Sequence, residues 1–422
     1  MKGLIFLTIL SFICLTTVMA EFPSTMRRLD GFKVYQVQVA DGEQLTEFRK
    51  MSEDLSVEIL KETSLTGTYD VAVAPSNQED FEERCRYYGL LIKTIIKDLQ
   101  NLIEQGFSSL KSTSMDWEDY HDLKTIYQWI DHIAFTYRHF VKTFIIGFSY
   151  DGRPIKALKV QHRKGTKNIV IDANIHAIEW ISSATLTCFI NNLLSSTDPR
   201  LVALRENYTW YFVPIVNPDG FVFSHEKERL WRKNRKPTGF SNSSGICYGT
   251  DLNRNFDYQW MVNGYNMDVP CDHWYAGSAP DSEPEVKTMV RFLQSIPDIK
   301  VYLAMHSYGN LCLLPYGHTN ELPPNYDVME YICKGFAKGV ASVFNTQYLV
   351  GPSGKLNYPV SGAAKDYAFA VLDVPFSATI ELRDRGTYGF FLPADQIADV
   401  CEEVTEGLIS LFVAANEKGL FD

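Results

Sequence analysis

Ile169-Val-Ile-Asp-Ala-Asn-Ile175 runs without a break into His176-Ala-Ile-Glu179 and then into the apolar, helix-like stretch Trp180–Leu194. A short apolar run of this kind reads as a strand buried on both faces. His176 then stands where a strand ends and a helix starts. In open α/β sheets ligands bind at that edge, in the crevice beyond the carboxyl ends of the strands. Two further strands end in the same way: Val301-Tyr-Leu-Ala-Met305 leads into His306, and Phe376-Ser-Ala-Thr-Ile380 leads into Glu381. Metal-capable or basic side chains brought to one edge by separate strands carry more weight than any one motif.

The spacing His-x-x-Glu occurs three times, and context separates the copies. His225-Glu-Lys-Glu228 sits in a charged stretch that reads as a solvated face, and His318-Thr-Asn-Glu321 in a polar loop before Pro323-Pro324. Only His176 and Glu179 follow a strand. With His306 they form a His2Glu set that leaves the fourth position of a single Zn2+ open, as a hydrolytic rather than a structural site requires. Such an ion lowers the pKa of a bound water and polarises a carbonyl. A carboxylate outside the ligand set must take the water's proton and pass it to the leaving amine, and Glu381 is the candidate base.

Outward from this core, strands at Asn168–Ala173, Thr209–Val216, Lys300–Met305 and Phe376–Ile380 alternate with helices near Trp180–Leu194, Glu283–Ser295 and Asp327–Phe344. The pattern predicts an α/β domain over 112–422, a mixed, mostly parallel twisted sheet with helices on both faces. Ahead of it, β-prone Lys33–Val39, the helix-like segment Glu43–Ser52 and helical spacing across 80–105 (Leu90, Leu91, Ile95, Ile96, Leu99, Leu102) predict a small α+β domain over 21–111. A Ser/Gly-containing linker after Gly106 closes that unit.

At the N-terminus, Lys2, the apolar run Leu4–Leu15 and Val18-Met19-Ala20 read as a signal peptide over 1–20. The run is shorter than the ~20 residues that span a bilayer. The remainder is expected to be secreted and extracellular. In a chain of 422 residues, 45% hydrophobic, there is ample material for a large core. A formal net charge of -11 argues against nucleic acid as a partner. Export permits disulfides; of eight cysteines Cys14 falls in the signal peptide, and the odd remainder cannot all pair internally. Asn207 and Asn242 head glycosylation sequons.

Several landmarks resemble the pancreatic-type carboxypeptidase A/B family of zinc metallocarboxypeptidases. They are Ile175-His-Ala-Ile-Glu-Trp180, Val216-Asn-Pro-Asp-Gly220, Leu230-Trp-Arg-Lys-Asn-Arg235, Asp251-Leu-Asn-Arg-Asn-Phe-Asp257, His306-Ser-Tyr308, Pro315-Tyr-Gly317 and Glu381-Leu-Arg-Asp384. The resemblance covers nearly the whole chain. It implies His176, Glu179 and His306 as zinc ligands and Asp251 as the carboxylate that orients the first histidine. It further implies Arg235 as the guanidinium that stabilises the oxyanion, and Asn253 and Arg254 as the clamp on the substrate's terminal carboxylate. Arg232 would line the same cleft, and Tyr358 would fold over bound substrate. A Cys247–Cys271 disulfide would brace the clamp loop, and residues 21–111 would be an activation propeptide removed by a trypsin-like protease, with Lys111 as the expected cut.

The pocket-floor position of that family corresponds to Lys365, between Ser361-Gly362 and Asp366-Tyr367. A cation there implies a preference for a C-terminal Glu, because an apolar side chain would leave the ammonium desolvated and unpaired. The alternative is that Lys365 snorkels to solvent and leaves a broad or apolar preference. Ser353 and Asn357 would make the pocket more polar, and Ile178 replaces the arginine that many relatives carry between the first two ligands. Expected partners are peptides with a free C-terminus, the activating protease and proteinaceous carboxypeptidase inhibitors, with no membrane, a monomeric state and a digestive lumen as one setting. A zinc amidohydrolase acting on N-acyl amino acids shares the ligand pattern, and a catalytically dead binding module would lack the base or a ligand. The leader, the leading domain and Asn253-Arg254 favour a secreted peptidase.

Overall fold

The computed structural model describes residues 23–62, 67–107, 114–162, 167–242, 245–264 and 266–422. The expected signal peptide and Lys111 lie outside the described residues.

Alternation along the first strand decides how the leading domain sits. It comprises β1 (Lys33–Gln38), α1 (Gly42–Asp54), β2 (Glu58–Glu62), β3 (Thr68–Val73), α2 (Gln78–Tyr87), β4 (Leu91–Ile96) and α3 (Leu99–Gln105). The strands pair antiparallel in the order β2-β3-β1-β4. Tyr35 and Val37 point to one face, where Phe48 and Met51 of α1 and Phe81 of α2 cover them. Val34 points to the other, into a cluster with Leu60, Ile178, Leu230 and Tyr308. Strand periodicity thus puts one side of this sheet on its own helices and the other on the following domain.

The helix expected across 80–105 is broken by a strand. At Gly89, φ +69° turns the chain at no steric cost. Ile92, Thr94, Ile95 and Ile96 then favour an extended backbone, and Ile92, Thr94 and Ile96 pair with β1, a register shift falling at Ile95. Helix resumes only after Asp98, whose side chain accepts from the backbone N–H of Asn101.

The following domain comprises α4 (Leu123–Thr136), β5 (Val141–Phe148), β6 (Pro154–Gln161), β7 (Lys167–Ala173), α5 (Trp180–Ser195), α6 (Pro199–Asn207), β8 (Tyr208–Val213) and α7 (Pro218–Glu226). A hairpin follows, β9 (Pro237–Asn242) and β10 (Gly245–Tyr248), then α8 (Pro284–Ser295), β11 (Ile299–Ser307), β12 (Leu311–Leu314) and α9 (Tyr326–Phe344). The chain ends with β13 (Leu349–Pro352), α10 (Ser353–Leu356), α11 (Ala364–Ala370), β14 (Phe376–Leu382) and α12 (Ile397–Glu417). Eight strands form one sheet in the order β13-β12-β14-β11-β7-β8-β6-β5. Its centre, β14-β11-β7-β8, is parallel, and antiparallel pairs occur at β12–β14, β8–β6 and β6–β5.

Both faces are covered. Ile169 and Ile171 pack with Phe189 of α5 and Leu408 of α12, while Val170 packs with Met289 of α8 and Ala368 of α11. That is why the deciding stretch is apolar at successive positions. Each fully buried Ile or Val contributes ~1.5–3 kcal/mol relative to exposure. Cys188–Cys401 ties α5 to α12, Cys312–Cys333 ties β12 to α9, and Cys247–Cys271 holds β10 to a loop. Cys85, buried in the leading domain, is free.

Candidate active site

The register of the parallel strands sets the site. Met305 of β11 is level with Ala173 of β7 and Ile380 of β14, and one residue further His306 is level with Glu381. His176 and Glu179 follow β7 in a turn held by a residue the sequence motifs did not flag. Asn174, at φ +52°, donates its amide to the His176 and Glu179 carbonyls, and its side-chain oxygen accepts from Ser183. This closed set of bonds presents both ligand side chains to the same side.

His176 Nδ1 lies 2.7 Å from Glu179 Oε1, His306 Nδ1 lies 3.0 Å from Glu179 Oε2, and the two Nδ1 atoms are 3.1 Å apart. Two imidazole nitrogens and a carboxylate converging on one buried point are the donor set of a zinc site with an open position. The residues therefore fit the ion. Asp251 Oδ1 lies 3.0 Å from His176 Nε2, which places the ring proton there and leaves the Nδ1 lone pair facing the centre. Burial opposes the Asp251 charge, but Arg232, Arg254 and His176 together hold its carboxyl well below the usual range. Burial pushes the Glu381 carboxyl up and the neighbouring Glu179 charge adds to this, against His306 and Lys61.

A cavity of about 660 Å³ joins these groups to Asn253, Arg254, Arg232, Tyr358 and Lys365. Asn253 Oδ1 accepts from the Ala364 N–H at 2.9 Å, which turns its amide N–H2 away from that bond. Arg254 donates to the Asn253 carbonyl and, at 3.1 Å, to the Tyr358 hydroxyl. A side chain at Gly362, where φ is +68°, would collide with the Arg254 carbonyl, so the clamp's backbone depends on glycine there.

A family model described as zinc carboxypeptidase matches residues 126–407, and one described as carboxypeptidase activation peptide matches residues 35–106. The chain belongs to the zinc carboxypeptidase family. It is a carboxypeptidase precursor that carries its activation peptide in front of the catalytic domain. A zinc carboxypeptidase of Simulium vittatum is 40% identical over 305 residues, 72% of this chain and 99% of that protein. The crystal structure of thrombin activatable fibrinolysis inhibitor matches with a TM-score of 0.84 and 27% identity, covering 91% of this chain and 98% of that one. Bovine thrombin-activatable fibrinolysis inhibitor in complex with tick carboxypeptidase inhibitor matches with a TM-score of 0.64 and 32% identity, covering 72% of this chain and 99% of that one.

Within this carboxypeptidase the two candidate arginines have different places. Arg232 lines the cleft, donates from Nε and Nη2 to Asp251 Oδ2 at 3.0 and 2.9 Å, and brings Nη1 to 3.5 Å from Glu179 Oε1. Arg235, expected at the oxyanion, is not in the cleft. Its guanidinium is stacked 3.6 Å from the Phe223 ring, 4.4 Å from Trp231 and 4.7 Å from Tyr248. Only Lys233 and Asn234 separate the pair, and in this irregular segment Arg232 turns inward while aromatic stacking holds Arg235 outside.

One other expectation changes, and one alternative is removed. His225 is not on a solvated face: its ring stacks 3.8 Å from Trp180, and burial pushes its pKa down to about 3. Lys365 does not snorkel. It is 3% exposed, lines the cavity, and donates to Asp366 Oδ1 at 2.8 Å, while the other Asp366 oxygen accepts from the Gly317 N–H. The activation peptide supplies residues no motif suggested, Leu60, Lys61 and Glu62, which line the same cavity. Ile178, in place of an arginine, packs in the apolar cluster that joins the two domains.

Proposed function

We propose that residues 1–20 are a signal peptide, 21–111 the activation propeptide and 112–422 the enzyme, a secreted exopeptidase that removes a C-terminal Glu. The observation that carries the specificity is Lys365, a buried ammonium at the wall of the cleft with Asp366 as its sole carboxylate neighbour within bonding distance among the described residues. An ammonium has three donors and Asp366 takes one. A substrate carboxylate satisfies what remains, whereas an apolar side chain would strand it in a desolvated site. Ser353 and Asn357 also line the cavity, which adds polar partners for an acidic side chain.

Arg254 and the Asn253 amide are placed to bind the terminal carboxylate, with Tyr358 exchanging its bond to Arg254 for one to substrate. Held by His176, Glu179 and His306, Zn2+ supplies Lewis-acid polarisation of the scissile carbonyl and acidifies water. Glu381 takes the proton of the attacking water as its oxygen bonds to the carbonyl carbon. The same carboxyl returns that proton to the amine nitrogen as the C–N bond breaks. A carboxyl raised by burial suits both halves of that exchange. Arg232, not Arg235, is positioned to stabilise the oxyanion.

Three disulfides support export to an oxidising compartment, a digestive lumen among them. No helix of the described residues is long and apolar enough to cross a membrane. The inhibitor bound to the bovine relative supports proteinaceous inhibitors as partners here too, with a monomer activated by a trypsin-like protease. The test is hydrolysis, after limited trypsin treatment, of peptides that differ only in a C-terminal Glu, Phe or Arg. Glu is expected to go fastest; fastest cleavage of Phe would overturn the specificity.

A further inference from the structure

Beside the catalytic cleft lies a second depression, of about 810 Å³, formed by Trp231, the β9–β10 hairpin and the Cys247–Cys271 disulfide. Arg232 lines both hollows and is the only described residue they share. Arg235 lines it, half-buried, with its guanidinium clasped by Phe223, Trp231 and Tyr248. Those rings fix the fork in place and accept no conventional hydrogen bond from it.

Among the described residues Arg235 has neither an ion pair nor a hydrogen bond. The acids nearest in charge are committed elsewhere. Asp219 takes Arg153, Ser149 and the Asp151 N–H, Asp151 takes Arg153, Asp251 takes Arg232, and Asp272 takes Asn266 and the Trp274 N–H. Among its described residues the wall contains Arg232 and Lys233, His273, whose pKa burial pushes down to about 4 so that it stands neutral, and no Asp or Glu. Lys233 donates to the Pro270 and Asp272 carbonyls, so its charge is held in place without being neutralised by a bonded carboxylate. In a chain with a net charge of -11, the described residues of this wall carry cationic side chains and no acidic one.

We propose that this depression is an exosite for an acidic side chain of the peptide substrate, upstream of the residue that is removed. A planar, preorganised guanidinium with free donors matches a carboxylate in two parallel bonds. Partial withdrawal from water strengthens the pair, and the aromatic rim gives the neighbouring peptide an apolar surface. The place also fits. The C-terminal residue enters toward Lys365, so the rest of the peptide must leave on the other side of the metal ligands. Arg232 stands beside those ligands, at the border of the second hollow. No described residue of the activation peptide lines it.

The inference rests on the peptidase reading above and is tested so that the two fail separately. The activated enzyme is assayed on a blocked dipeptide ending in Glu, and on octapeptides ending in Glu with either Glu or Gln at successive upstream positions. The dipeptide reports the catalytic centre; if it resists cleavage, the proposed function fails. With the dipeptide cleaved, an upstream Glu at one position is expected to lower KM about tenfold relative to Gln with kcat little changed. Arg235→Ala is expected to erase that preference, and Arg235→Lys to restore part of it. A flat series in the unaltered enzyme, or a preference that survives Arg235→Ala, would overturn the exosite. If Arg235→Ala does not fold, the unaltered enzyme's comparison of Glu with Gln decides alone.

Discussion

Lys61 of the activation peptide donates to the Tyr308 carbonyl and holds its ammonium 3.9 Å from the centre of the Tyr308 ring. The same tyrosine's hydroxyl donates to Asp70 on β3. Burial lowers the Lys61 pKa, while Glu381, Asp70 and Glu179 favour its charge. A lysine brought by β2 therefore acts as a counter-ion inside the cleft it lines.

Removing that counter-ion leaves Glu381 and Asp70 less compensated in a buried site. The Lys61→Ala precursor is expected to release its leading domain more readily, by ~1–2 kcal/mol, and so to show about 5–30-fold more activity before any proteolysis. The measurement is kcat/KM of the intact chain on a dipeptide; no change would mean that Lys61 adds nothing to the closure.

Glu62, next along β2, gives the closure a pH dependence. Its carboxyl is 3% exposed and pushed up to about 7, first by burial, with the Tyr69 hydroxyl, Arg49 and Arg254 pulling the other way. A carboxyl with a raised folded pKa binds more protons when folded. The resulting stability is complete below about 4.5, the ordinary value, and is lost as pH rises through about 7. Up to ~3 kcal/mol rides on the difference. The precursor's Tm is expected to fall from about pH 5 to pH 8, and Glu62→Gln to flatten the slope. Equal slopes for both chains would refute the assignment.

The two arginines offer a kinetic separation. Arg232→Ala is expected to lower kcat by ~100-fold or more on every substrate, because a donor aimed at the oxyanion acts only once charge develops. Arg235→Ala is expected to act on the KM of long acidic peptides. A loss of kcat in Arg235→Ala as deep as in Arg232→Ala would restore the role that its motif position implies.

That pair also marks where the sequence stops being legible. His306 and Glu381 were readable because parallel strands bring their last residues to one edge in register, so position along a strand became position in space. Arg232 and Arg235 lie in a segment without such a period, and their facing depends on Asp251 and on the rings of Phe223 and Tyr248, none of them a sequence neighbour. Leu90, Leu91, Ile95 and Ile96 also satisfy helical spacing, so the sequence predicts helix where β4 lies, and pairing with β1 decides otherwise. Cys188 and Cys401 are 213 residues apart, and only the packing of α5 against α12 selects that pairing.

Lys365 and Asp366 set the last expectation. The family resemblance assigns Lys365 to the pocket floor, but its adjacent carboxylate shares the charge at 2.8 Å, so the two must be changed together. Lys365→Leu alone would leave Asp366 buried with only the Gly317 N–H to bond it, at a cost of ~3–5 kcal/mol. The double change Lys365→Leu, Asp366→Asn keeps a side-chain acceptor for Gly317, removes both charges, and is expected to recover most of that stability. It is also expected to turn preference from C-terminal Glu toward Leu or Phe, because an uncharged floor no longer penalises apolar burial. The measurements are Tm and kcat/KM for Glu-, Leu- and Phe-ended peptides in the single and double variants. If the double variant still favours Glu, the acidic preference arises elsewhere in the cleft.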